Sequence, residues 1–167
     1  MVLATHAVVG TIIATSITKD PVLAFSIAFA THFALDHIPH WDYSLYSLKE
    51  DKENHFNHDM VLGKTFLIDL CRIGADALLG TIVSFVIAIF IFKSSTPLVV
   101  LASVAGAIMP DPLQFLFWKT KSKILLPLQK FHIWIHGRSL KIHYVPGVLL
   151  QAFVILVVLG AVLMIKR

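Results

Sequence analysis

His32 and Asp36 stand four residues apart, one helical turn, and His40 continues the same stripe in "THFALDHIPH". His132 and His136 repeat the i, i+4 spacing in "FHIWIH". Imidazole nitrogens and carboxylate oxygens on one helix face are the donor set of a divalent metal, zinc first, with manganese or iron also suited. Cys71 is the only cysteine, which excludes a thiolate cluster and an internal disulfide. One such pair arises readily by chance on a helix. Two of them, with His6, Asp76 and Asp111 at the same depth, form a candidate metal constellation.

These polar groups lie among residues that hydrocarbon accepts. The chain of 167 residues is 57% hydrophobic and 14% charged, against roughly 25% charged residues in soluble domains. That composition describes one integral membrane domain over residues 1–167. Five apolar runs approach spanning length, at 2–18, 21–38, 64–92, 98–117 and 144–165, where about 20 residues cross the hydrocarbon. Asp20-Pro21 and Ser94-Ser95-Thr96-Pro97 punctuate the first and third turns, with proline suited to opening the next helix. The expected fold is therefore all-α, a bundle of about five transmembrane helices. Between them, residues 41–63 read as a charged surface connector. Residues 118–143 read as a basic segment lying in the membrane interface before the last span. The amino terminus lacks an early basic residue and a clean cleavage site, so it reads as a retained span.

Counting lysine and arginine orients such a bundle. Lys49, Lys52, Lys64, Lys119, Lys121, Lys123, Lys130, Arg138 and Lys141 share one side, while Lys19, Lys93, Lys166 and Arg167 share the other. The excess places the first set, and the amino terminus, in the cytoplasm of a bacterial-type inner membrane. The net charge of +4 is then explained by topology and anionic lipid, with no nucleic acid as partner. The sequence carries no signal of oligomeric state.

On that topology the ionisable residues converge on one leaflet. His6 opens span one, His32, Asp36 and His40 close span two, and Asp69, Arg72 and Asp76 occupy the first half of span three. Asp111 closes span four, and His132, His136 and His143 precede span five. Each charge inside a span costs roughly 2.5–3.5 kcal/mol at a helix centre, so it must pair, ligate or line water. Asp69, Arg72 and Asp76 share a helix face and could simply neutralise one another. For the histidines the bland alternative is a water-filled polar pocket. His55 and His58 fall in the charged connector and read as solvated, and His37 points away from the Asp36 stripe. Trp41, Trp118 and Trp134 fit an interfacial aromatic belt.

"THAVVG", "HFALDHIPHWD", "MPDP" and the His-x-x-x-His stretch before the last span resemble the small membrane-bound metal-dependent hydrolases of the LexA-binding, inner membrane-associated group. "HFALDHIPH" is also similar to the His-x-x-x-Asp, Pro, His element of zinc-dependent phospholipase C and related single-strand nucleases. The resemblance implies that His32, Asp36 and His40 are metal ligands, completed by His6, Asp111 and His132 or His136.

The function expected from these residues is metal-dependent hydrolysis of a phosphoester, carried by a lipid or amphiphile at the cytoplasmic leaflet. A metal lowers the pKa of bound water towards about 7 and polarises a phosphoryl oxygen. Asp76 or Asp111 would bridge metals or accept the proton, with Asp76 preferred. Arg72, Arg138 or Lys141 would hold the phosphate. The alternatives are a metal-ion or proton transporter or channel subunit, and a non-catalytic metal-binding membrane protein. A transport path needs polar groups in both halves of the membrane, and the outer half is bare.

Overall fold

The computed structural model describes residues 1–93, 96–136 and 142–166. Seven α-helices account for most of them: α1 Leu3–Ile17, α2 Pro21–Asp36, α3 Lys64–Val86, α4 Pro97–Ile108, α5 Pro110–Thr120, α6 Leu126–His136 and α7 Tyr144–Ile165. A wider helical turn, Ile87–Ile91, continues α3. The all-α expectation holds, with one small addition. The connector folds as a two-stranded antiparallel ribbon, β1 Leu48–Lys49 against β2 Asp59–Met60.

Small residues set the centre. Gly10 of α1 faces Ala107 of α4 and Ala28 of α2, and Gly106 lies against the Phe25 backbone so closely that an added Cβ would meet its carbonyl oxygen. Helices without bulky side chains at the crossing bring their backbones together, the usual solution where lipid supplies no hydrophobic drive between helices. Ala14, Ala24, Ala28, Val99 and Ala107 fill this contact and are completely or almost completely buried. The α1–α2–α4 trio forms the buried centre, with α3 and α7 packed against α1.

Asp20 caps α2 by accepting from the Leu23 amide, and Pro21 supplies the first helical position. At the other end α2 stops at Asp36, three residues before Pro39. These boundaries leave α1 with 15 residues and α2 with 16, short of the roughly 20 that cross hydrocarbon. Two helices are long and apolar enough to span, Lys64–Ile91 and Tyr144–Ile165, and α4 with α5 makes a third candidate bent by 45°. The expectation of about five spans is corrected to two or three among the described residues. The apolar runs at 2–18 and 21–38 are genuine helices, but proline and aspartate punctuation trims them. The orientation deduced from five crossings loses its parity argument with this count.

The outer surfaces of the two long helices are apolar. Leu67, Leu78 and Ile82 on α3, Phe90 in the turn that continues it, and Leu149, Phe153, Leu156 and Met164 on α7 are all more than half exposed. An apolar surface of this extent marks a membrane or protein contact.

Candidate metal centre

The start of α1, the end of α2, the bend between α4 and α5, and α6 meet at one end of the bundle. Asp36 is the hub. Its Oδ1 lies 3.1 Å from His6 Nε2. Its Oδ2 lies 3.0 Å from His32 Nε2, 3.2 Å from His132 Nε2 and 3.0 Å from His136 Nε2. The Asp111 Oδ1 atom closes the group at 3.6 Å from His32 Nε2 and 3.8 Å from His132 Nε2. The Met1 amine is 3.3 Å from Asp36 Oδ1. His6, His32, Asp36 and His132 have at most 1% of their surface exposed.

These spacings suit a cation. Four ligands held at about 2.0–2.2 Å around a tetrahedral ion are roughly 3.3–3.6 Å apart. The separations linking His32, His132, Asp36 and Asp111 run from 3.0 to 3.8 Å. Three overlapping sets could each hold an ion: His6, His32 and Asp36; His32, Asp111 and His132; and Asp36, His132 and His136.

Proton bookkeeping supports the same reading. His32 Nδ1 lies 2.7 Å from the Ala107 carbonyl oxygen, which can only accept, so Nδ1 carries the proton. In the neutral ring Nε2 then has a lone pair, and it faces two carboxylates. A backbone carbonyl fixing one ring nitrogen so that the other is free to ligate is the usual support of a metal-bound histidine. The carbonyl lies in the last turn of α4, at the 45° bend where α5 restarts at Pro110. A second proton on His32 would relieve its own Nε2. It would not relieve His6, whose buried Nε2 faces Asp36 Oδ1 at 3.1 Å without the geometry of a hydrogen bond. A shared cation satisfies both.

His40, just beyond α2, stands beside the group and outside the three ligand sets. Its Nδ1 donates to the Ile38 carbonyl at 2.7 Å, and its ring meets His136 edge-on with centroids 5.7 Å apart. Burial lowers its pKa to about 4, so the ring is neutral at pH 7 with its lone pair on Nε2. The Asp42 carboxyl, half-exposed to a cavity yet ringed by protein, is raised to about 6 by the same desolvation.

The structure separates Asp69, Arg72 and Asp76 from the ligands. Asp76 Oδ2 accepts from the Ala4 amide at 3.3 Å and so satisfies the first turn of α1, which has no side-chain cap of its own. Asp69 accepts from the Tyr46 amide, the Ser47 amide and the Ser47 hydroxyl at 3.1, 2.7 and 2.7 Å. It pins the connector to α3. Arg72 donates to the Ser44 carbonyl at 3.1 Å, stands 3.8 Å from Asp69, and lies over the Tyr43 and Tyr46 rings. The three residues therefore do not neutralise one another as a trio. Arg138 and Lys141, expected to hold phosphate, fall outside the described residues.

Sequence reasoning passed over Gln129 and Gln151, and read Trp118 only as part of an aromatic belt. Gln129 precedes His132 by three and His136 by seven, so one stripe of α6 carries all three, a pattern visible in the sequence. Gln151 is a lone amide in the most apolar helix. Its Oε1 accepts from the Val2 amide and the Thr5 hydroxyl, while its Nε2 donates to the Trp41 carbonyl, joining α7 to α1 and the connector.

No family model matches the chain, and neither do curated proteins or solved structures.

Proposed function

We propose that this chain is a membrane-embedded, metal-dependent hydrolase of phosphoesters, acting on a lipid or amphiphile at the face where the Asp36 cluster lies. Zinc is the metal that best suits the nitrogen and oxygen donors, with His32, His132, Asp36 and Asp111 as its holders and His6 and His136 extending the set. The observation that carries the reading is the convergence of four imidazoles and two carboxylates, with His32 oriented by the Ala107 carbonyl. The resemblance of "HFALDHIPH" to zinc-dependent phospholipase C and to the membrane-bound hydrolase group points the same way. The cytoplasmic leaflet of a bacterial inner membrane remains the proposed location.

When bound, the metal supplies Lewis acidity, which eases ionisation of water and polarises a phosphoryl oxygen. The residues supply the rest. Asp36 is fully enclosed and holds charge at the centre. Asp111 has 37% of its side chain exposed and lines the adjoining cavity, which makes it the carboxylate positioned to exchange a proton with a bound substrate. Asp76, capping α1, is not assigned a chemical role.

The test is elemental analysis of the protein purified in detergent, together with hydrolysis of phospholipid and isoprenoid phosphates. Bound zinc and turnover, both lost in Asp36→Asn, are expected. Metal-dependent ion flux in sealed vesicles, with no phosphoester cleaved, would move the assignment to transport.

A further inference from the structure

The metal cluster occupies one end of a much larger space. A cavity of about 920 Å³ extends between α3, α5, α6 and the connector, near the upper end of the roughly 300–1,000 Å³ typical of small-molecule sites. Asp111, His136 and His40 face it at the cluster end. Most of the remaining wall is apolar, with Phe66, Leu70 and Ile73 from α3, Phe115 from α5, Ile133 from α6 and Leu45 from the connector.

Polar residues interrupt that wall, among them Asp42, Glu50, His55, His58 and Gln114, and two more carry enclosed donors. Gln129 and Trp118 both line the cavity, and both Gln129 Nε2 and Trp118 Nε1 are enclosed with no hydrogen-bond partner. Gln129 is 2% exposed. An enclosed N–H without an acceptor is costly, and natural sites keep one where a ligand supplies the oxygen. Neither group belongs to the metal-ligand sets. They ask for neutral acceptor oxygens, chemistry that a bare hydrocarbon chain cannot offer.

One residue of the wall also lies on a candidate membrane helix. Leu70 lines the cavity and is 51% exposed on α3, one of the two helices long and apolar enough to span. If α3 spans, an acyl chain entering beside Leu70 would stay against apolar surface.

We propose that this cavity binds a single-chain glycerophospholipid of the lysophosphatidate type. Its acyl chain lies along Phe66, Leu70, Ile73 and Phe115, its glycerol and ester oxygens accept from Gln129 Nε2 and Trp118 Nε1, and its phosphate points to Asp111 and His136. Gln129 and Trp118 set specificity, because they distinguish a glycerol ester from a plain alkyl phosphate. This deepens the hydrolase reading at the same site and rests on it only for the reactive end.

Calorimetric titration of the full chain, in fixed detergent, tests the inference. The probes are lysophosphatidate, an alkyl phosphate of equal chain length, and glycerol phosphate. Lysophosphatidate is expected to bind tighter than the alkyl phosphate by roughly two- to twelve-fold for each hydrogen bond made, and glycerol phosphate to bind weakest. Gln129→Leu and Trp118→Phe should each reduce the preference for lysophosphatidate while leaving bound metal unchanged. If Gln129→Leu fails to fold, Gln129→Glu keeps the shape and replaces the donor with an acceptor. Equal affinity for the two amphiphiles, glycerol phosphate binding as tightly as either, or variants that keep the full preference would overturn the proposal. Discriminating lipid binding with no phosphoester cleaved would uphold it and remove the hydrolase reading. Turnover of soluble phosphoesters with no effect of the chain would do the reverse.

Discussion

Asp36 is the residue on which the rest of the site depends. Asp36→Asn keeps its size and removes one full charge, and it replaces an acceptor oxygen with a donor facing lone pairs. Metal affinity is expected to fall by roughly 100-fold or more, since disturbing even the supporting contacts of a ligand costs 10–100-fold. Competition with a chromophoric chelator would measure it. His40 supplies the contrast. It carries the same stripe in the sequence and is in its neutral form, yet it stands outside the three ligand sets. His40→Phe should keep the metal, whereas His132→Phe should lose it; equal loss would place His40 in the coordination sphere. The spacing of His32 and Asp36 was legible because a helix repeats every turn, and so was the pair His132 and His136. That Ala107 contributes a carbonyl was not legible, because backbone atoms exposed at a bend leave no mark in residue type. His40 misleads for a related reason: Pro39 ends the helix, so the residue after it no longer follows the helical stripe.

At the scale of elements, the acidic residues of α3 act as fasteners. Asp76→Asn weakens the cap on α1 and should lower stability by about 1 kcal/mol, the usual worth of a capping side chain, with bound metal retained. Asp69→Ala strips three hydrogen bonds from Tyr46 and Ser47. Each amide left buried without a partner costs roughly 1–3 kcal/mol, so the connector should detach; limited proteolysis within residues 50–58 would report it. Gly106→Ala forces a methyl against the Phe25 carbonyl and should cost about 1–3 kcal/mol by overpacking, read as a lower melting temperature in detergent. Helix content was plain from the apolar runs, but helix ends were not. The Asp20-Pro21 junction already bounded the runs at 2–18 and 21–38, but runs this short were counted as spans although the helices they form hold 15 and 16 residues. The fastening roles of Asp69 and Asp76 were hidden because both partners are backbone amides far away in sequence.

For the whole molecule, α3 and α7 fix how it meets a bilayer. If α3 spans, Lys49→Cys near the cluster end and Lys93→Cys beyond its far end should label from opposite faces, in a Cys71→Ser background because Cys71 is exposed. Labelling of both from one face would mean that α3 lies along the surface. Metal should also stabilise the entire bundle, because the ligands come from α1, α2, α5 and α6. At free metal a thousandfold above its dissociation constant the gain is about 4 kcal/mol. Chelation should therefore lower the melting temperature, and zinc should restore it.

The same distribution of ligands sets an order in time. Asp36 and His136 are separated by 100 positions along the chain, and a ribosome adds about 5–20 residues each second. For about 5–20 seconds of synthesis the hub carboxylate has His6 and His32 within reach but neither histidine of α6. During that interval the half-built site can grip an ion only loosely, and whichever metal is commonest in the cell can visit and leave. On the proposed metal reading, tight capture would wait until α6 has docked, and the finished fold rather than the first arrival would choose the ion. On that reading, a chain halted before residue 126 would lack both histidines of α6 and hold a divalent ion less tightly.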